Sequence, residues 1–300
     1  MTKSFKRLKT SRDMFSFRIQ ENIELLPFLY KAFSNRSRNS VKSILRRGQV
    51  SVNGKETTQF NERLQEGDFV TVLKNEAAKR LGALVGIEIL HEDEDVIVIY
   101  KDEGLLSVPS NKDEFFTVQH QMIEYVKHQH LRNHIYMTHR LDRDTSGVMI
   151  LARNIKIQNY LQNNWHEAVP ERSYQALVEG EVEKDKGTVK SYLKETKTFY
   201  VYSTEDEDGL HAVTHYEKVK SNGKYSLLNV HLETGRKNQI RVHMKDLGHP
   251  VAGDKKYGAE TNPLNRLCLH AQSITFIHPK TKKPVTVRAK APRSFQRAVQ

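Results

Sequence analysis

The chain has 300 residues, room for one large domain or for two of which one is small. Lys and Arg number 48 against 36 Asp and Glu, so the formal net charge is +12, which favours an anionic partner; 37% hydrophobic residues are too many for a fully disordered chain. A single cysteine, Cys268, excludes an internal disulfide framework and a Cys-pair zinc site, no apolar run approaches the ~20 residues of a membrane span, and the basic Met1–Lys9 stretch lacks the apolar core of a secretory signal.

Residues 1–80 hold 17 Lys and Arg against 8 Asp and Glu, whereas the remaining 220 residues hold 31 against 28, so the basic excess is N-terminal. Seven basic residues and no acidic ones fall between Lys31 and Lys55. A solvated basic face and a footprint for a phosphate backbone are equally compatible with that run; the local pattern favours the second. Ser40 is placed to cap a helix running to about Arg47, with Gly48 as its stop. Arg38, Lys42 and Arg46 then form one ridge, beside an apolar arc of Val41, Ile44 and Leu45 that can dock on Leu26, Phe28 and Leu29. Val50-Ser51-Val52, the Asn53-Gly54 turn signal and Phe69–Val72 read as a small sheet. Helix pair, hairpin and basic ridge together resemble the S4-like RNA-binding domain, and on that resemblance Arg38, Lys42, Arg46 and Arg47 are expected to contact RNA. The expected division is a basic tail over 1–12, this domain over 13–75, a polar linker over 76–85 and a second domain over 86–300.

The second segment is rich in short β-type runs: Val96–Tyr100, Val148–Ala152, Tyr174–Val178, Ala212–Val219, Ser226–Leu232, Leu267–Phe276 and Val285–Ala289. Helices are fewer. Asn154 can cap one carrying Ile157, Leu161 and Trp165, and Ile240, Met244 and Leu247 line another that Gly248 ends. The expected fold class is α+β: a strand-rich, mixed and mainly antiparallel sheet with flanking helices, plus the small N-terminal α+β domain. Gly-rich dinucleotide and Walker patterns and the Gly-x-Ser-x-Gly elbow are absent. His120, His128, His130, His134 and His139 match no zinc spacing, so no metal is expected.

Three strings concentrate polar chemistry. His139-Arg140-Leu141-Asp142-Arg143-Asp144-Thr145-Ser146-Gly147 precedes a fully apolar strand and sets an acid between two arginines, which would keep Asp142 anionic; read alone, the string slightly favours a turn tied by its Asp and Thr side chains. Leu232 to Met244 carries Arg241 beside the apolar face of a helix, where a guanidinium needs a carboxylate partner. Arg172-Ser173-Tyr174-Gln175-Ala176-Leu177-Val178-Glu179-Gly180 reads as a strand with a tyrosine near its start. With Gly248-His249-Pro250-Val251, Gly253-Asp254, Tyr257-Gly258 and Leu269-His270-Ala271, these strings occur in an order that resembles the RluA family of RNA pseudouridine synthases over about Lys101 to Pro279.

That resemblance implies an isomerase that converts uridines in structured RNA to pseudouridine without a cofactor. It implies Asp142 as the catalytic aspartate, Arg241 as its ion-pair partner and Tyr174 as the tyrosine stacked on the target uracil. Leu269 is implied as an apolar wall of the uracil pocket, and Arg140 as the side chain that fills the gap left by the flipped uridine. Asn238 stands where the family commonly has His; the expectation is that this alters the helix start and leaves the Asp–Arg pair untouched. Asp102-Glu103 replaces a common Pro-Ala pair, with little effect expected. Large-subunit (23S) ribosomal RNA is the expected target, transfer RNA the alternative; a non-catalytic RNA-binding or ribosome-assembly factor is the competing class. A cytoplasmic monomer with no membrane association and no obligate protein partner is expected.

Overall fold

The computed structural model describes residues 5–7, 14–36, 38–46, 48–74, 84–109 and 117–300. The N-terminal part is a five-stranded antiparallel sheet in the order Phe5–Arg7, Met14–Ile19, Phe69–Leu73, Val50–Val52, Lys55–Glu56, with helices Leu25–Ala32 and Arg38–Arg46. Alternation places Phe17, Ile19, Val50, Val52, Val70 and Val72 inward, where they meet Phe28 and Leu29 of the first helix and Val41, Ile44 and Leu45 of the second. Asn53 and Gly54, both at positive φ (51° and 82°), close the hairpin.

The second helix starts at Arg38, two residues before the expected cap, so Ser40 lies inside it. Its end is as the sequence indicates: Gly48 at φ 63° lets its own N–H reach Leu45 O (3.1 Å) while Gln49 N–H reaches Ile44 O (3.3 Å), a Schellman closure. A basic tail over residues 1–12 does not describe Phe5–Arg7, which pair with Phe17–Ile19. The reason is apolar: the Phe5 ring meets Phe17 and Phe28 edge-on at 5.7 and 5.1 Å. Most of the expected 76–85 linker lies outside the described residues.

The rest of the described chain is one mixed sheet, antiparallel except where Ser146–Ala152 runs parallel to Leu269–Ile277, with few helices: the α+β class expected. Its order is Val201–Thr204, Lys186–Glu195, Leu210–Ser221, Tyr225–Leu232, Glu171–Glu179, Leu269–Ile277, Ser146–Ala152, Val96–Lys101, Ile87–Glu92. The continuous apolar runs at 96–99 and 148–151 arise because both sheet faces are covered there. Ile97, Ile99, Met149 and Leu151 pack with helix Val118–Gln129; Val96, Val98, Val148 and Ile150 pack with the Ile155–Asn163 region. Gly147, at φ 123°, permits the close parallel crossing: a Cβ there would lie 2.1 Å from Ala271 O.

Several elements differ from expectation. Asn154 does cap its helix (Ile157 N–H to Oδ1, 3.0 Å), but Trp165 begins a separate short helix, Trp165–Ala168. Leu267 precedes the strand that starts at Leu269. Lys186–Glu195, Ile87–Glu92 and helix Val118–Gln129 had no clear sequence signal; the first is largely exposed and charged and only one of its residues, Leu193, is buried. Among the described residues, no helix is long and apolar enough to cross a membrane.

Candidate active site

Asp142 sits in the loop that feeds strand Ser146–Ala152, and buried polar groups fix the loop on both sides of it. Before it, the Ser107 hydroxyl accepts from Leu141 N–H (3.1 Å) and donates to Leu141 O (2.7 Å). After it, the fully buried Lys101 ammonium donates to Arg143 O (3.0 Å), Leu105 O (2.7 Å) and Asp102 O (2.9 Å), and Gly104 N–H adds a second bond to Arg143 O. Burial pulls the Lys101 pKa down to about 7, against the opposing pull of nearby Asp144, Glu103, Asp102 and Asp142. Three carbonyls match the three donors of a charged ammonium. Behind the loop, Glu103 pairs with Arg266 (2.8 Å), whose other nitrogen donates to Ser146 Oγ (2.7 Å). Glu103 therefore takes part in the scaffold of the loop.

The flanking arginines are not the partners of Asp142. Arg143 turns to Asp144 (3.1 and 3.2 Å), and Arg140 is exposed. The positive charge comes from 99 residues away: Arg241 Nη1 donates to Asp142 Oδ2 at 3.2 Å. The same guanidinium makes a bidentate pair with Asp254 (Nε to Oδ2 2.6 Å, Nη2 to Oδ1 2.8 Å) and lies over the Tyr257 ring, 4.9 Å from its centroid. Burial works against the Arg241 charge. The hydrogen bonds and charge of Asp254, followed by those of Asp142, outweigh it, and the guanidinium pKa is raised. Asp254 is the buried member, with 2% of its side chain exposed; Asp142 keeps 27% and is the carboxylate that can meet a ligand.

Asn238 does not leave this pair untouched. Its Oδ1 accepts from Arg241 Nη1 (3.1 Å) and its Nδ2 donates to Tyr257 Oη (2.9 Å), so the residue tethers the guanidinium to the ring beneath it. It sits at φ 55°, a left-handed backbone that asparagine tolerates well, and makes no side-chain cap to its helix.

Helix Gln239–Asp246, which carries Arg241, is bolted to the sheet by a chain of hydrogen bonds with one consistent direction. Gln239 Nε2 donates to Thr214 Oγ1 (3.0 Å), which donates to His243 Nδ1 (2.8 Å); His243 Nε2 donates to Ser191 Oγ (3.0 Å), then Ser203 Oγ (3.1 Å), and the last hydroxyl reaches Asp246. Burial lowers the His243 pKa to about 4, and the neutral ring completes this direction by accepting at Nδ1. Signals for these supports existed only in part: Gly253-Asp254 and Tyr257-Gly258 were visible as strings, but the roles of Asp254, Lys101 and Ser107 depend on folding.

Tyr174 lies in strand Glu171–Glu179 opposite Ala271 and packs in the cluster that holds Leu141 and Ala271. Burial raises its hydroxyl pKa, Arg172 opposes the shift, and Asp142 adds to it, so the phenol and that carboxylate share one environment. Leu269, two residues from Ala271, is buried opposite Ala176. The structure thus gathers Asp142, Arg241 and Tyr174, places Leu269 on the adjoining strand, and leaves Arg140 at the surface. In the N-terminal part Arg38 is exposed, its guanidinium 5.7 Å from the Tyr30 ring centroid, and Lys42 is half-buried; the Arg46 side chain and Arg47 lie outside what is described.

The five histidines of 120–139 form no metal group: His139 Nε2 accepts from Ile150 N–H (3.0 Å), and burial, with the Arg172 charge, lowers its pKa to about 3. A different trio, Asp93, Asp95 and His278, brings ligand-type atoms within 4.8 Å. His278 Nδ1 accepts from the Lys280 and Thr281 amides (3.2 Å each), so its proton is on Nε2, facing Asp93 at 3.1 Å, and it offers a cation no lone pair there.

The site sets a partly exposed aspartate against a largely buried arginine on a mixed sheet, and comparison with known proteins supplies the family. Residues 95–246 match the family model described as RNA pseudouridylate synthase. The chain is 32% identical to the uncharacterized RNA pseudouridine synthase YlyB of Bacillus subtilis over 94% of both chains. It is also 32% identical to the ribosomal large subunit pseudouridine synthase C of Buchnera aphidicola, over 87% of this chain and 88% of that one. The solved structure of human RNA pseudouridylate synthase domain containing 4 superposes with a TM-score of 0.58 at 23% identity, covering 74% of this chain and 92% of its own, a likeness of fold. The chain belongs to the RluA-type RNA pseudouridine synthase family and is an RNA pseudouridine synthase, an isomerase.

Proposed function

We propose that Asp142 is the catalytic carboxylate and that the target uridine lies in structured RNA, with large-subunit ribosomal RNA as the substrate. The observation that carries the first part is the Arg241 Nη1 to Asp142 Oδ2 contact of 3.2 Å, which sets a cation against a partly exposed carboxylate beside Tyr174. In the reaction the bond from uracil N1 to ribose C1′ breaks, the base turns, and a bond from C5 to C1′ forms. The C5 proton is lost and N1 gains one, so nothing is consumed. Positive charge grows at the sugar as the first bond breaks, as in glycoside hydrolysis, and Asp142 stabilises it. Asp142 does so either by attacking C1′ or by assisting loss of a ribose proton. Tyr174 stacks on the flipped uracil, Leu269 lines its pocket, and the exposed Arg140 fills the vacated position in the RNA.

The ribosomal substrate is supported by one relative named for the large subunit; transfer RNA is the alternative. The N-terminal part is proposed as an S4-like RNA clamp acting through Arg38, Lys42, Arg46 and Arg47, and the protein as a cytoplasmic monomer needing no cofactor. The experiment is Asp142→Asn, assayed for pseudouridine formation in RNA from a strain lacking the gene. Turnover is expected to disappear while RNA binding persists. Wild-type turnover in the variant removes Asp142 from the mechanism. Mapping pseudouridines in that strain against its parent identifies the RNA.

A further inference from the structure

The turn between strands Lys186–Glu195 and Val201–Thr204 presents Phe199 to solvent, 69% exposed, with φ at 62°. A bulky side chain in the left-handed region costs conformational energy, and a ring this exposed returns little of it by packing. Yet the turn is held firmly. Phe199 N–H reaches Thr196 O (2.9 Å), Tyr200 N–H reaches Thr196 Oγ1 (3.1 Å), Thr196 N–H reaches Tyr200 O (2.8 Å), and Lys256 Nζ donates to Phe199 O (2.9 Å).

Cations and rings alternate from this turn to the candidate active site. Lys237 Nζ lies 5.2 Å from the Phe199 centroid. Lys245 and Lys256 each lie 5.7 Å from the Tyr200 centroid, and Lys256 is 5.5 Å from that of Tyr257. Tyr200 and Tyr257 are 5.1 Å apart, and Tyr257 carries Arg241, the partner of Asp142. Glu195 pairs with Lys237 and so tempers part of the charge. Basic groups interleaved with aromatic faces suit a single strand of nucleic acid: the rings stack bases and the ammonium groups meet phosphates.

We propose that Phe199 is a stacking platform for an unpaired nucleotide flanking the target uridine, with Lys237 and Lys256 as contacts for its phosphates. This rests on the reading that Asp142 marks the reacting uridine, and it adds a positioning surface for RNA on one side of that site. The platform is a binding element and touches no reacting atom.

The probe is a fluorescein-labelled oligouridylate 12-mer, followed by anisotropy with the full chain. Phe199→Ala is expected to weaken binding about tenfold, and Phe199→Tyr and Phe199→Trp to restore it. On RNA from the deletion strain, Phe199→Ala should raise KM with kcat unchanged. The unfolding midpoint read from Trp165 fluorescence should not fall, because the ring is exposed. Wild-type affinity in Phe199→Ala, or equal losses in the alanine and tyrosine variants, overturns the platform. Asp142→Asn, run alongside, separates the two ideas. If it keeps full turnover while Phe199→Ala still loses affinity, the assignment of Asp142 fails and the platform stands. If it loses turnover while Phe199→Ala binds and turns over as wild type, only the platform fails.

Discussion

Replacing Arg241 by alanine removes the group that joins Asp142 to Asp254. The guanidinium gives two bonds of 2.6 and 2.8 Å to Asp254 and one of 3.2 Å to Asp142. Asp254 has 2% of its side chain exposed, so water cannot replace those hydrogen bonds without rearrangement. Breaking one member of such a buried pair costs about 3–5 kcal/mol. Trp165, the only tryptophan, lies in the catalytic part of the chain, so its fluorescence in a urea titration reports that part's unfolding. Activity should fall by about 10²–10³-fold, the usual cost of removing one preorganised electrostatic donor. The double variant Arg241→Ala with Asp254→Ala removes both buried charges and should recover part of the stability and none of the turnover. A single variant that is as stable as wild type, or a double variant no more stable than the single, would refute the view that Asp254 depends on Arg241.

His243 is held at a pKa of about 4 against an ordinary 6.5, so between those values only the unfolded chain takes up the proton. Its stabilising effect is complete above pH 6.5 and is lost as pH falls towards 4, by at most about 3 kcal/mol. His270, also lowered to about 4 by burial, acts in the same direction. Urea titrations across pH 4–7 should show the decline, and His243→Asn should make it shallower; an unchanged slope contradicts the burial argument. Charge reversal by Arg38→Glu and Lys42→Glu should weaken RNA binding and reduce its salt slope by about 0.7–0.9 for each phosphate no longer neutralised. Unchanged binding across a salt series would remove that helix from the RNA interface.

Much of the fold was legible because local rules and tertiary packing agreed. Strands 96–101 and 146–152 are apolar on both faces, and their sequence says so without ambiguity. Lys186–Glu195 was illegible for the opposite reason: it is held by ladder bonds to two neighbours while only one of its side chains, Leu193, is buried. The strings around Asp142 and Arg241 drew attention through charged groups beside apolar runs. The Asp142–Arg241 pair, named through the resemblance, is made; the groups that hold the guanidinium, Asp254 and Asn238, were not foreseen as its partners, and the adjacent Arg140 and Arg143 suggested a local pairing that the loop geometry does not make. Lys101 merely follows the apolar run Val96–Tyr100 in the sequence, and only the fold shows three carbonyls converging on its ammonium.

The unequal sharing of Arg241 has a mechanistic consequence. Asp254 takes two of its nitrogens at short range, Asn238 holds a third from the helix start, and Tyr257 lies under the plane, so the guanidinium is oriented by the protein alone. Asp142 receives one longer bond and keeps part of its surface open. A carboxylate held by a single hydrogen bond can shift its remaining oxygen towards a sugar without unmaking the network. The cation beside it is largely withdrawn from solvent, so little water must reorganise as charge develops. Asp254 therefore does for Arg241 what Arg241 does for Asp142: it fixes the position of a charged group through the fold, so if Asp142 carries the reaction as proposed, a buried aspartate belongs to the machinery that prepares it.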